Sequence, residues 1–199
     1  KNDSIDIINF LGKEKLPFIA IKCTGLMDIN LLEKISDGEI SYQGDEYLTF
    51  KRRMIALCDT AQKNNVQVLI DAEETWIQDA IDNMALELME IYNRKKIIVS
   101  LTHQCYRVGT LDKIKKNLEI AKDKKFLYGV KLVRGAYMEK ERSRATQMGY
   151  ESPIQPTKEM SDKEFNDSLE YTVKNINFSS LGVGSHNEES CSYLMKLMS

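Results

Sequence analysis

Lys131 and Arg134 belong to the segment Lys131-Leu-Val-Arg-Gly-Ala-Tyr137, which follows directly on the apolar run Phe126-Leu-Tyr-Gly-Val130. A strand ending there aims both cations at whatever lies beyond its carboxyl end. Gly135-Ala136 adds almost no side chain, so a flat ligand can approach the backbone closely. Two cations beside bare backbone suit an electron-rich, anionic or phosphorylated cofactor. Taken alone, the segment fits a strand end with surface ion pairs equally well. The functional reading comes from repetition, because the other strands of the chain end in the same way.

Reading those carboxyl ends in order gives Lys22, Asp71-Ala-Glu73, Gln104, Lys131 with Arg134, and Ser185-His186-Asn187. The opposite ends, at Leu16, Val66, Ile97 and Phe126, are apolar. In a parallel α/β fold, ligands sit at the carboxyl ends of the strands. The polar ends therefore define a functional rim. An acid at Asp71 is costly unless paired, and Lys22 is its natural partner from sequence. Gln104 offers both a donor and an acceptor, as the edge of a pyrimidine-like ring requires. His186 and Asn187 precede Glu188-Glu189 in a strand-to-helix loop, where a helix amino terminus can hold a phosphate. Cys105 and Trp76 are expected to serve packing.

The elements that must position this rim are legible as an alternation. Strands are expected at Leu16–Cys23, Val66–Asp71, Ile97–Thr102, Phe126–Val133 and Ser180–Gly184, each apolar enough to be covered on both faces. Helical patterns fill Glu46–Lys63, Thr75–Tyr92, Leu111–Lys124 and Asp162–Asn175. Met84, Leu88 and Ile91 form one buried stripe, with Asp82, Asn83, Glu87 and Glu90 outside it. Ser161 with Glu164 reads as a capping box. Pro153 and Pro156 keep Tyr150–Thr157 extended. The pattern implies a parallel sheet, either doubly wound or a (β/α)8 TIM-type barrel. A full barrel takes about 250 residues, so residues 1–199 correspond to one partial domain of about five βα units.

Composition narrows the function classes. The 199 residues are 42% hydrophobic and 29% charged, with a net charge of −2. No basic field is present to recruit nucleic acid. The lysines Lys113, Lys115, Lys116, Lys122, Lys124 and Lys125 alternate with acids on a helical pattern and read as a solvated face. Cys23, Cys58, Cys105 and Cys191 have no pair spacing and read as reduced thiols. His103 and His186 lack ligand-spaced neighbours, so no metal is expected. No apolar run reaches membrane-spanning length. The chain begins at Lys1 without an initiator Met and stops within a helical pattern, as an excerpt of a longer protein would.

Several blocks together resemble the proline dehydrogenase family. They are Ala20-Ile-Lys-Cys-Thr-Gly25, Ile70-Asp-Ala-Glu-Glu-Thr75, Gln104-Cys-Tyr106, Lys131-Leu-Val-Arg-Gly-Ala-Tyr-Met138, Glu141-Arg-Ser-Arg-Ala145, Tyr150-Glu-Ser-Pro-Ile-Gln-Pro-Thr157 and Ser185-His-Asn-Glu188. They stand in the family's order and cover nearly the whole chain. The resemblance implies a (β/α)8 flavoenzyme of proline catabolism, which oxidises L-proline to Δ1-pyrroline-5-carboxylate and passes electrons to quinone. By the same resemblance, Asp71 and Lys131 are the catalytic residues, with Lys131 near flavin N5. Lys22, Ala136 and Tyr137 would border the substrate. Ala72, Gln104, Lys131, Arg134, Gly135, Ala136, Ser185 and His186 would hold FAD. The resemblance also implies cytoplasmic placement with peripheral contact to the inner membrane (mitochondrial in a eukaryote), and it leaves homo-oligomerisation open.

The chain departs from the family in three ways. His103 precedes Gln104 where many relatives carry an aromatic or aliphatic residue. The family's first strand, with its acid, has no counterpart. The last helix, whose arginine pair clamps the proline carboxylate, is also missing, so this chain alone is expected to be inactive. Two other functions compete: a Schiff-base aldolase-type lyase using Lys22 or Lys131, and a fragment that folds without activity.

Overall fold

In the computed structural model, which describes residues 2–199, five parallel strands alternate with helices. Helix α1 (Asn2–Lys13) leads into β1 (Phe18–Ile21), followed by α2 (Ile29–Ser36) and α3 (Asp45–Asn64). Then come β2 (Gln67–Ile70), α4 (Thr75–Tyr92), β3 (Val99–Gln104), α5 (Thr110–Asp123) and β4 (Tyr128–Val133). The chain continues through α6 (Met138–Met148), α7 (Lys158–Lys174), β5 (Ser179–Gly184) and α8 (Glu188–Met198).

The strands lie in the order β1-β2-β3-β4-β5, every neighbouring pair parallel. A doubly wound sheet would reverse its order at a switch point. This sheet never reverses, so its five βα units run in the sequence of a barrel. In register, Ile70 pairs with Leu101 and Leu101 with Val130. These side chains, with Val68, Val99 and Leu132, are wholly buried in the core beneath the helices. Because side chains alternate along a strand, Asp71, Thr102, Gln104, Lys131 and Val133 fall on the other face, where they line a cleft. At the opposite end of the strands, buried Asn93 ties the sheet together. Its Nδ2 donates to the carbonyls of Val99 and Leu127, while its Oδ1 accepts from the amides of Ile98 and Val99.

Several local expectations are corrected. β1 is shorter than Leu16–Cys23, because Cys23 begins a 3-10 turn, and Phe18 is 52% exposed. Among the described residues β1 is an edge strand, with a neighbour on one side only. Helix α7 starts earlier than the Ser161 capping box would place it: Thr157 is the cap, accepting from the amide of Met160. Glu164 accepts from the amide of Leu111 and so caps α5. Met84 and Leu88 are buried as expected, whereas Ile91 is exposed and Asp82 is buried. Lys113 explains the last point, since it leaves the solvated lysine face to pair with Asp82 and Asp79. The sequence pattern also left α1, α2 and α6 unassigned. Cys23, Cys58 and Cys105 are buried free thiols, and burial raises the pKa of each. Among the described residues no helix is long and apolar enough to cross a membrane.

Candidate active site

The carboxyl ends of the strands surround an open cleft of about 470 Å³. Lys22, Asp71, Ala72, Gln104, Lys131, Arg134, Gly135, Ala136, Tyr137, Ser185 and His186 all line it. The structure therefore brings every residue given a role by the family resemblance to one place, whereas Glu73 of the rim is buried beside it and accepts from the amide and hydroxyl of Thr24. Thr102, Val133, Lys158, Gly184 and Asn187 complete the lining. Of these, Lys158 is the one whose charge matters chemically. It follows Pro156-Thr157, so its only sequence signal was its position just after the extended loop.

Asp71 pairs with Lys131, not with Lys22. Lys131 Nζ lies 2.7 Å from Asp71 Oδ1, and both side chains are about three-quarters buried. Thr102 Oγ1 adds a long contact to the same carboxylate oxygen at 3.4 Å. Lys22 is exposed and stands over the Tyr137 ring, 5.9 Å from its centroid. Tyr137 is the main influence raising the Lys22 pKa, with Glu73 and Asp71 adding to it. The ammonium is thus held in its charged form beside an aromatic wall.

On the far side of the cleft, Arg134 commits three of its five N–H groups to protein partners. Its Nε donates to Asp162 Oδ1 at 2.6 Å, Nη1 to Ser185 Oγ at 2.8 Å and Nη2 to Ser190 Oγ at 3.0 Å. The guanidinium also stacks 4.4 Å from the Phe165 ring centroid. Asp162 serves Lys158 as well. Partial burial pushes the Asp162 carboxyl up, but Lys158 and Arg134 outweigh it and hold the pKa below the usual value. Asn187 caps α8 by accepting from the amide of Ser190, and Ser185 Oγ accepts from the amide of Asn187. This corner gathers cations, hydroxyls and a helix amino terminus, the combination that receives phosphate oxygens.

Behind Ala72 and Gln104 lies a smaller polar cavity of about 90 Å³. His103 borders it and does not reach the main cleft. Its Nε2 lies 2.8 Å from the Tyr128 hydroxyl, which also accepts from Asn117 Nδ2. Burial drives the His103 pKa down to about 4. The role left open by sequence is therefore that of a neutral core imidazole. Trp76 is half-buried, with Lys140 and Arg144 over its ring.

The family model for proline dehydrogenase matches residues 6–199. The chain belongs to the proline dehydrogenase family. It is 34% identical over 150 residues to human mitochondrial proline dehydrogenase 1, covering 74% of this chain and 25% of that protein. It is 36% identical over 157 residues to the Drosophila melanogaster counterpart, covering 74% of this chain and 23% of the other. The chain thus spans about a quarter of the length of these relatives. Among solved structures, proline utilization A (PutA) from Bdellovibrio bacteriovorus, inactivated by N-propargylglycine, superposes with a TM-score of 0.85 at 20% identity. That match covers 98% of this chain and 22% of that one. At this identity the likeness establishes a shared fold, in agreement with the barrel order of the strands.

Proposed function

We propose that the cleft is the flavin and substrate site of an L-proline dehydrogenase, and that the protein containing this chain binds FAD there. The observation that carries this reading is the convergence of every rim residue but Glu73 on one cleft at the carboxyl face of a barrel-ordered sheet in a member of this family. The residues suit the cofactor. Arg134, Lys158, Ser185 and the capped start of α8 supply donors for phosphate groups. Gly135 and Ala136 leave backbone open beside Lys131, and Ala72 and Gln104 lie on the remaining side.

Bound FAD supplies the hydride acceptor for oxidation of L-proline to Δ1-pyrroline-5-carboxylate, with quinone as the final acceptor. The chain's own residues bind, orient and set the charge. Lys131 brings a fixed positive charge to the cleft, and Asp71 holds that ammonium in place. A preorganised cation of this kind stabilises negative charge developing nearby. Lys22 and Tyr137 form the wall against which we place the substrate ring. The enzyme would work at the periphery of the inner membrane, in the cytoplasm of a bacterium or the mitochondrion of a eukaryote.

The lyase alternative needs a neutral lysine amine as nucleophile. Lys22 is shifted the opposite way, and Lys131 is ion-paired with Asp71. Titrating the complete protein with FAD tests the proposal, combined with an assay of proline-dependent reduction of a soluble quinone. Complete protein that neither carries nor takes up FAD would overturn it.

A further inference from the structure

We propose that Gln104 and Tyr106 act as a bracket that positions one wall of the cleft, a role distinct from contact with a ligand. Gln104 is buried at the end of β3, between the loops that leave β2 and β4. Its Nε2 donates to the carbonyl of Glu73 at 2.8 Å. Its Oε1 accepts from the amide of Ala136 at 3.1 Å. One carboxamide therefore ties the loop of Asp71 and Ala72 to the loop of Ala136 and Tyr137. Rotating the amide by half a turn would set its N–H groups against the Ala136 N–H and its oxygen against the Glu73 carbonyl. The two backbone partners thus fix its orientation. A primary amide has two donor hydrogens and two acceptor lone pairs. The bracket takes one of each, so half of the group's capacity is already committed to the protein.

Tyr106 secures the same loop one residue further on. Its hydroxyl accepts from the amide of Tyr137 at 3.3 Å. Its backbone amide donates to the carbonyl of Arg134 at 2.7 Å. Between these bonds sits Gly135, with φ of +146°. A Cβ at that position would lie 2.5 Å from three carbons of the Tyr106 ring. The ring occupies the space that a side chain would need, so the glycine permits the loop to rest directly on it. Ala136 and Tyr137, the wall that faces Lys22, thus take their place from two side chains of the β3 end. The consequence for catalysis rests on the proposed reading of the cleft, whereas the bracket itself is a property of the chain.

Amide hydrogen exchange in the ligand-free protein tests the bracket directly, because the two bonds protect two identifiable amides. Gln104→Ala should speed exchange at Ala136 by about tenfold or more, and Tyr106→Phe should do so at Tyr137. In both variants the amides of Val68–Ile70, deep in the sheet, should keep their protection. Gln104→Glu keeps an acceptor but sets its second oxygen against the Glu73 carbonyl, so it should leave Ala136 about as unprotected as Gln104→Ala does. Unchanged exchange at Ala136 and Tyr137 in folded variants would overturn the proposal. So would an equal rise throughout the sheet, which would signal general destabilisation, or a Gln104→Glu variant that protects Ala136 as fully as the parent protein. No flavin or substrate enters the measurement, so failure of the proline dehydrogenase reading would leave this result standing.

Discussion

Asp71 and Lys131 meet at 2.7 Å although β3 runs between their strands. Neighbouring strands lie about 4.8 Å apart, so β2 and β4 are about 10 Å apart, a gap that only a long side chain on the inner face spans. Lys22 follows Ile21, whose register partner Ile70 precedes Asp71, yet Lys22 turns to Tyr137. Non-additivity is the test. Asp71→Ala combined with Lys131→Met should show a coupling energy above about 0.5 kcal/mol in urea unfolding. Asp71→Ala with Lys22→Met should be additive within that margin. A larger coupling to Lys22 would restore the partnership expected from sequence.

The same pair should matter for turnover in the complete enzyme. Asp71→Ala leaves Lys131 without its counter-ion. Breaking a fully buried pair costs about 3–5 kcal/mol. Both side chains here keep about a fifth or more of their surface in solvent, which reduces that cost. We expect kcat/KM for proline to fall at least about a hundredfold, roughly 2.7 kcal/mol. A value near that of the unaltered enzyme would remove Asp71 from the catalytic group.

Glu141 offers a test independent of ligands. Its carboxylate, fully buried on α6, accepts from both the amide and the hydroxyl of Thr75 at 2.6 Å. Thr75 opens α4, so the negative charge also faces the positive end of the helix dipole. Glu141→Ala should cost about 1–3 kcal/mol in urea unfolding, and Glu141→Gln less, since it keeps one acceptor. Equal stability of Glu141→Ala and the parent chain would show that α6 is held elsewhere.

The rim was legible because strand ends are local: an apolar run stops and a polar residue follows, as at Ile70-Asp71 and Val130-Lys131. Partnerships were less legible, because they join distant segments. Asp71 and Lys131 are 60 positions apart, and nothing near either one distinguishes Lys131 from Lys22. The Ser161 cap failed for a related reason: its glutamate, Glu164, is taken by α5. Helix α6 escaped notice because only Glu141 and Ala145 within it are buried, leaving no apolar stripe. Gln104 was placed correctly on the rim, but its bonds to Glu73 and Ala136 depend on loops that only folding brings together.

His103 should give the protein an acid-sensitive core. Burial lowers its folded pKa to about 4, against an ordinary value of 6.5. The fold therefore favours the neutral ring. This contribution is fully present above about pH 6.5 and is lost as pH falls through the window towards 4. The shift corresponds to about 3 kcal/mol at most. Unfolding free energy measured across that window should drop steeply in the parent protein and less steeply in His103→Gln. Parallel slopes would mean that His103 binds its proton equally well in the folded and unfolded states.

The edges of the sheet determine how the 199-residue chain should behave when made alone. Among the described residues, β1 and β5 each have a strand neighbour on one side only. Apolar side chains stand exposed near both edges: Leu16 at 45% and Phe18 at 52% beside β1, Ile176 and Phe178 at 49% each ahead of β5. Unpaired backbone beside exposed apolar surface favours strand-to-strand association. Sedimentation velocity should therefore show concentration-dependent self-association, reduced in a Phe18→Lys, Phe178→Lys double variant. The isolated chain should also show no proline turnover. An amino-acid carboxylate is oriented best by a bidentate arginine clamp. Among the described residues the one arginine lining the cleft is Arg134, whose fork is held by Asp162, Ser185 and Ser190. A strictly monomeric 199-residue chain that oxidised proline would refute both expectations and would require Arg134 to release its partners for the substrate.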